Sequence, residues 1–236
     1  MPRRRRSRKH YRKKKKFEEG FTRRRIVSFN PSSQGAPIPY RMMTKHRFYH
    51  QLSLNPGASA LVTGEQFRAN SIYNPYVSDV ASPPAYQPML FDQFSGLYTN
   101  FHVLGSKITA RFMMTSALGA PVNCAIRSDD DVAFSTSWPD LVEEGRINWK
   151  TLLNDTSKAV TVTRKFSARK TAGVDDVLDE DDLAGNTGAD PGREFYFHVV
   201  AASADGNVDP GAILVDVLID YIVVWSHPQE VTSSDT

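Results

Sequence analysis

The clearest signal along the chain is alternation. Ile213, Val215, Val217, Ile219, Tyr221, Val223 and Trp225 place an apolar side chain at every second position, which is the spacing of a strand with a buried face. The positions between them mix Asp216 and Asp220 with Leu214, Leu218, Ile222 and Val224, so the other face is partly covered too. Val160, Val162, Phe166 and Ala168 alternate with Thr161, Thr163, Lys165 and Ser167. Phe195, Phe197, Val199 and Ala201 form a third set, and Ile108, Ala110, Phe112 and Met114, opposite Lys107, Thr109 and Arg111, form a fourth. Less regular strands are expected at 42–54, 60–72, 121–128 and 147–153, giving eight in all.

Helical periodicity is scarce. Leu90, Phe94, Leu97 and Phe101 lie near helical spacing within Pro88–Phe101, and Trp138–Gly145 carries Pro139 in its first turn with Glu143 and Glu144 outside. Two long loops are expected, one at 73–88 with Pro75, Pro83, Pro84 and Pro88, the other at 170–192. Six acids crowd into Asp175–Asp182, which reads as an exposed loop that keeps assemblies soluble. Eight strands, long loops and two short helices predict an all-β sandwich with elaborated connections.

Length and composition fit that picture: 236 residues at 40% hydrophobic content can build one domain with a sizeable core. The longest apolar run, Ala212–Trp225, is interrupted by Asp216 and Asp220 and is too short to span a bilayer. No apolar segment follows the basic N-terminus, so it does not read as a secretory signal. The single cysteine, Cys124, excludes a disulfide framework and a multi-cysteine zinc site.

Charge changes the picture more. A net charge of +3 hides a split: residues 1–25 hold fourteen Arg and Lys against Glu18 and Glu19, a net of +12, while the other 211 residues carry 15 basic and 24 acidic side chains, a net of −9. The fourteen are Arg3, Arg4, Arg5, Arg6, Arg8, Lys9, Arg12, Lys13, Lys14, Lys15, Lys16, Arg23, Arg24 and Arg25. With almost no aliphatic content and self-repelling charges, this arm is expected to be disordered when free. Residues 26–41, with Pro31, Ser32, Ser33, Gly35, Pro37 and Pro39, are expected to be an extended linker, and 42–236 the folded body. Cations at this density neutralise phosphates and release counterions, giving salt-sensitive binding independent of sequence. Tyr11, Phe17, Phe21 and Phe29 are interleaved where bases would stack. The competing reading is a solvated tail or a nuclear-import signal alone, and import and packaging can use the same residues.

No catalytic grouping is found: there is no Gly-rich phosphate loop, no H-E-x-x-H and no G-x-S-x-G. No enzyme activity, cofactor or metal is expected. His10, His46, His50, His102, His198 and His227 are scattered; His46 and His50 share a stretch that reads as strand, where four residues span about 13 Å. Cys124 reads as a buried, inert thiol. Asp129, Asp130 and Asp131 read as a turn with solvated carboxylates in preference to a calcium site shared with a neighbouring subunit. Asn154-Asp155-Thr156 fits the glycosylation pattern but lacks a secretory context.

An Arg/Lys arm, a Pro/Ser linker and an eight-stranded body together resemble the capsid proteins of circovirus-like viruses with circular single-stranded DNA. The resemblance is carried by Phe91-Asp92-Gln93-Phe94-Ser95-Gly96-Leu97-Tyr98 followed by Val103-Leu104-Gly105-Ser106-Lys107-Ile108. Arg164-Lys165-Phe166-Ser167-Ala168-Arg169-Lys170 with Gly173, and the closing strand Val217–Ser226 with Pro228, add to it. These stretches cover about a sixth of the chain. The arm departs from the family in mixing Lys13–Lys16 with arginine and in being short. The resemblance implies a single eight-stranded jelly roll of two four-stranded antiparallel sheets, with strands at 42–54, 60–72, 101–116, 121–128, 147–153, 159–168, 194–204 and 212–226. It further implies self-assembly of about 60 copies into an icosahedral shell, arms inside on single-stranded DNA, residence in the virion, and passage through the host nucleus on the import machinery. A small RNA virus capsid and a cellular nucleic-acid-binding protein that forms no shell are the alternatives. The host-cell receptor is not indicated by any feature of the sequence.

Overall fold

The computed structural model describes residues 38–58, 61–79, 81, 86–115, 119–156 and 158–229. The arm, and the linker as far as residue 37, lie outside them. Nine strands follow: β1 (Arg41–Leu54), β2 (Thr63–Arg68), β3 (Tyr98–Met114), β4 (Val122–Asp129), β5 (Ile147–Leu152), β6 (Ala159–Ser167), β7 (Ala184–Asn186), β8 (Tyr196–Ser203) and β9 (Ile213–Pro228). They pair antiparallel into two sheets, one ordered β1-β9-β3-β6 with β7 added beside β3, the other β2-β8-β4-β5. The chain crosses from one sheet to the other at most connections, and only β4 and β5 are both consecutive and paired. That interleaved order is a jelly roll.

The inner faces follow the sequence alternation. Val215, Val217, Ile219, Tyr221, Val223 and Trp225 of β9 are buried, as are Ile108, Ala110 and Phe112 of β3. They meet Phe197, Val199 and Ala201 of β8 and Cys124 and Ile126 of β4 from the facing sheet. On one side the sandwich is closed by polar links between β5 and β6: Asn148 Nδ2 donates to the Thr163 carbonyl at 2.7 Å and Lys150 Nζ to the Thr161 carbonyl at 2.8 Å. Arg164 Nε donates to Ser128 Oγ at 2.7 Å across the same gap.

At one end, α1 (Phe91–Ser95) lays Phe91 and Phe94 against Trp225, with ring centroids 5.8 and 5.6 Å away. Phe101, tilted, and His46, edge-on, add contacts at 5.7 Å each. Trp225 Nε1 donates to Thr44 Oγ1 at 3.0 Å and His46 Nε2 at 3.1 Å. His46 Nε2 is therefore an acceptor, and the ring proton sits on Nδ1, which faces the Met89 carbonyl at 3.3 Å. Leu90, which opens α1, adopts φ 72°, the left-handed region that leucine rarely occupies.

Several expectations need correction. The 60–72 strand is shorter, Thr63–Arg68: Ala69 N–H still pairs in register with the Phe195 carbonyl, and the ladder stops where the Asn70 side chain turns to bond residues 193 and 195. Ala168 opens a helix, α3 (Ala168–Ala172), in place of ending a strand, so with α2 (Trp138–Glu143) there are three short α-helices among the described residues. The 170–192 stretch is not simply an exposed loop. Its 3₁₀ turns at Val177–Asp179 and Asp181–Leu183 bury Val177 and Leu183 while the acids stay outside. It then supplies β7, a ninth strand, which makes the first sheet five-stranded. Gly185 makes that pairing feasible, since a Cβ there would stand 2.3 Å from the Phe101 ring. β1 starts at Arg41, the last residue assigned to the linker.

Candidate nucleic-acid interface

The fourteen arm cations named above fall outside the described residues, so the structure bears on what the body presents. The outward positions of the β1 sheet are settled by strand parity and register. Arg47 lies opposite Asp220, Asp220 opposite Lys107, and Lys107 opposite Lys165. One step toward the sheet's other end the row runs Lys45, Ile222, Gly105, Ser167; two steps the opposite way it runs Gln51, Asp216, Arg111, Thr161. With neighbouring strands about 4.8 Å apart, the four-strand row crosses roughly 14 Å.

This outer face carries Arg41, Lys45, Arg47, Lys107, Arg111 and Lys165 against Asp216 and Asp220, a net of +4 on a body whose total is negative. All six cations are exposed. Both acids are already engaged by β1: Arg47 Nε donates to Asp220 at 2.7 Å, while Tyr49 Oη and Gln51 Nε2 donate to Asp216 at 3.0 and 2.9 Å. Among the described residues, Lys45, Lys107, Arg111 and Lys165 take part in no ion pair.

A groove of about 400 Å³ opens on this face. Beside it β3 shifts register between Val103 and Gly105, and Gly105 then faces outward with no side chain. Lys45, Arg47, Lys107 and Lys165 stand around it, with Ile222 and Asp220 beside them. Sequence reasoning placed Lys107, Arg111 and Lys165 on polar strand positions but did not gather them into a site. Parity along β1 was the available signal, since Lys45 and Arg47 alternate with His46 and Phe48.

The second sheet offers no comparable surface. Its outer face is partly covered by α2, where Leu141 packs with Val62, Ala125, Val200 and Ala202, and Phe134, Trp138 and Ile147 lean against them. The outer face of the first sheet is covered only near its Arg41 end, where His102 and Val224, outward by register, are buried; the rows from Lys45 to Gln51 are open.

The polar groups singled out in the sequence have other employment. Asp129 pairs with Arg127 and, at 2.9 Å, with Arg146. Burial pushes its carboxyl up, but hydrogen bonds from Asp130 and the charges of Arg127 and Arg146 outweigh that and hold it below the usual range. Asp131 accepts the Ala133 N–H at 2.9 Å, and Asp130 is exposed. Among the described residues no group of three or more His, Cys, Asp and Glu is arranged to hold a metal ion. His46 and His50 lie on one face of β1 but serve different clusters, His46 at Trp225 and His50 against Tyr76 at 4.4 Å. Cys124 is fully buried, and burial raises its thiol to about 12, far from a reactive thiolate. Asn154 Nδ2 donates to the Gly119 carbonyl at 2.6 Å.

His198 is fully buried and its Nε2 donates to the Asp131 carbonyl at 2.9 Å. Burial, helped by Arg127, lowers it to about 4 from 6.5. A base with a depressed folded pKa binds fewer protons folded than unfolded between those values, so stability falls as the pH drops through that window. At about 1.4 kcal/mol per unit, the loss for this group approaches about 3 kcal/mol by pH 4. Burial shifts His46 and His102 in the same direction. The urea midpoint is expected to fall steadily from pH 6.5 to 4 and to fall less in His198→Gln; equal slopes for both proteins would remove His198 from the account.

The fold defines the class, a jelly-roll sandwich among all-β proteins. No protein-family model matches the chain, and no curated protein matches it in sequence. Among solved structures it is similar to that of the Macrobrachium rosenbergii nodavirus, at 11% identity over 91% of this chain and 60% of that one, with a TM-score of 0.46. It is also similar to sacbrood virus of honeybee, at 12% identity over 80% of this chain and 89% of that one, TM-score 0.45. A third likeness is to a T=1 subviral particle of a Penaeus vannamei nodavirus capsid protein deletion mutant, at 11% identity over 75% and 98%, TM-score 0.38. Among the described residues no helix is long and apolar enough to cross a membrane.

Proposed function

We propose that the chain is a viral capsid protein: the jelly roll assembles into a closed icosahedral shell and the N-terminal arm packages a single-stranded genome. One observation carries the reading, a +12 arm of 25 residues attached to an acidic jelly-roll body. Jelly rolls also serve lectins and cupins, but a ligand pocket in the barrel would not need such an arm. A cellular nucleic-acid binder would use the arm without assembling into a shell, and the assembly state separates the two. The domain plan belongs to the proposal as well: arm 1–25, linker 26–41 and shell domain 42–236, with no catalytic role for any of them.

The genome's sugar is the finer point. The sequence resemblance favours single-stranded DNA and passage through the host nucleus. The solved structures named above are not of circovirus-like viruses, and a small RNA virus capsid is served equally well by the same fold and arm. Phosphate contacts carry no information on the sugar.

Size-exclusion light scattering with ultraviolet absorbance across the peak tests the reading. A monodisperse megadalton species rich in nucleic-acid absorbance is expected, and DNase against RNase sensitivity of the extracted material decides the genome. A chain that stays monomeric or forms small oligomers, with and without added nucleic acid, would overturn the capsid assignment.

A further inference from the structure

We infer that the open part of the outer face of the β1-β9-β3-β6 sheet is a second nucleic-acid contact surface, in which Lys45, Lys107, Arg111 and Lys165 hold backbone phosphates around the Gly105 groove. The inference rests on the capsid reading and deepens it, because it says which side of the sandwich faces the genome.

Three observations carry it. The first is charge: the face is +4 where the chain beyond residue 25 is −9, so the cations are concentrated on one surface against the trend of the body. A phosphate backbone is the complementary partner. The second is availability. The two acids on the face are satisfied by Arg47, Tyr49 and Gln51, whereas the three lysines and Arg111 are exposed and unpaired among the described residues. The third is shape. On the opposite outer face α2 packs over Ala125, Val200 and Ala202, while here a groove of about 400 Å³ opens beside Gly105 with cations standing on its rim. A lysine rim without a base-reading donor set contacts any sequence, as packaging requires.

The test uses the full chain and a short oligothymidylate, with affinity measured by fluorescence anisotropy across a salt series. Lys45→Gln, Lys107→Gln and Lys165→Gln are combined in one variant. Lys158→Gln, Arg169→Gln and Lys170→Gln, exposed cations off the face, make a control of equal net charge. At about 0.7 per phosphate contact on a single strand, the face variant is expected to flatten the slope of log K against log salt by about 2, and the control by much less. Thermal melts of both variants check that the fold is retained. An equal drop in both would mean that only net charge matters and would overturn the inference. An unchanged slope with a loss of particle mass would also overturn it, making the face a contact with the acidic 175–182 segment of a second copy. Failure of the unaltered chain to bind the probe sinks the capsid reading itself, and is thereby distinguished from failure of the face alone.

Discussion

Replacing the fourteen arginines and lysines of residues 1–25 with glutamine is expected to cost several powers of ten in affinity for single-stranded nucleic acid at low salt. Each arm cation that neutralises a phosphate contributes about −0.7 to the slope of log K against log salt. Fourteen engaged cations therefore give a slope of about −10. The sheet face, with six, supports at most about −4. A neutralised arm should leave a slope between zero and that limit, measured on the same oligothymidylate series. Retention of a slope near −10 would mean that the body, not the arm, holds the genome. The two surfaces are separable because one precedes the described fold and the other is fixed on a sheet.

Trp225→Ala is expected to destabilise the fold by about 3–5 kcal/mol. The indole is fully buried and lies at the centre of a cluster with Phe91, Phe94, Phe101 and His46. Its removal opens a cavity at the end of the sandwich and leaves α1 held by Phe91 on Phe101 and Tyr73, Phe94 on His46 and the Gln229 bond to the Ser95 carbonyl. It also deprives Thr44 and His46 of their shared donor, but these two remain within 2.9 Å of each other. Trp225→Phe should accordingly cost less than half as much, since it keeps most of the ring packing and the remaining polar pair can close. Urea unfolding of both variants reads the difference. A loss below about 1 kcal/mol in Trp225→Ala would mean that the cluster repacks or that α1 contributes nothing to stability.

The two results bear on different parts of one assembly. Trp225 holds the end of the sandwich from which α1 projects, and the sheet face lies across the same strands on the outside. β9 carries both: Trp225, Val223 and Tyr221 point inward, Asp220 and Ile222 outward. On the proposed reading, the packing core and the genome contacts would lie on opposite faces of this one strand, so a substitution on one side can be read apart from the other.

Much of this was legible in the residues. Alternation in 213–225, 160–168, 195–201 and 108–114 marks strands because parity is a local property: each side chain's face follows from its neighbour's. The basic arm is equally local, as a matter of composition and like-charge repulsion. The all-β class and the split between arm and body needed nothing more. Alternation also placed Lys107, Arg111 and Lys165 on outward positions of their own strands.

What only the tertiary structure decided is which strands lie side by side and what covers each face. Strand order depends on pairings between residues more than a hundred positions apart, such as Arg47 with Asp220; a local pattern that is satisfied by any antiparallel neighbour does not select among them. Only that order brings Lys45, Arg47, Lys107 and Lys165 around one groove. The partly covered face of the other sheet could not be read either, because α2 is six residues long and its buried Leu141 has no periodic partner in the sequence. The acidic 170–192 stretch looked like loop because its buried aliphatic residues, Val177 and Leu183, are isolated among carboxylates. They are buried by what the rest of the chain places beneath them, and β7 pairs because Gly185 finds the Phe101 ring waiting there. Periodicity is written into the chain residue by residue, whereas coverage and juxtaposition arise only when distant segments compete for the same surface.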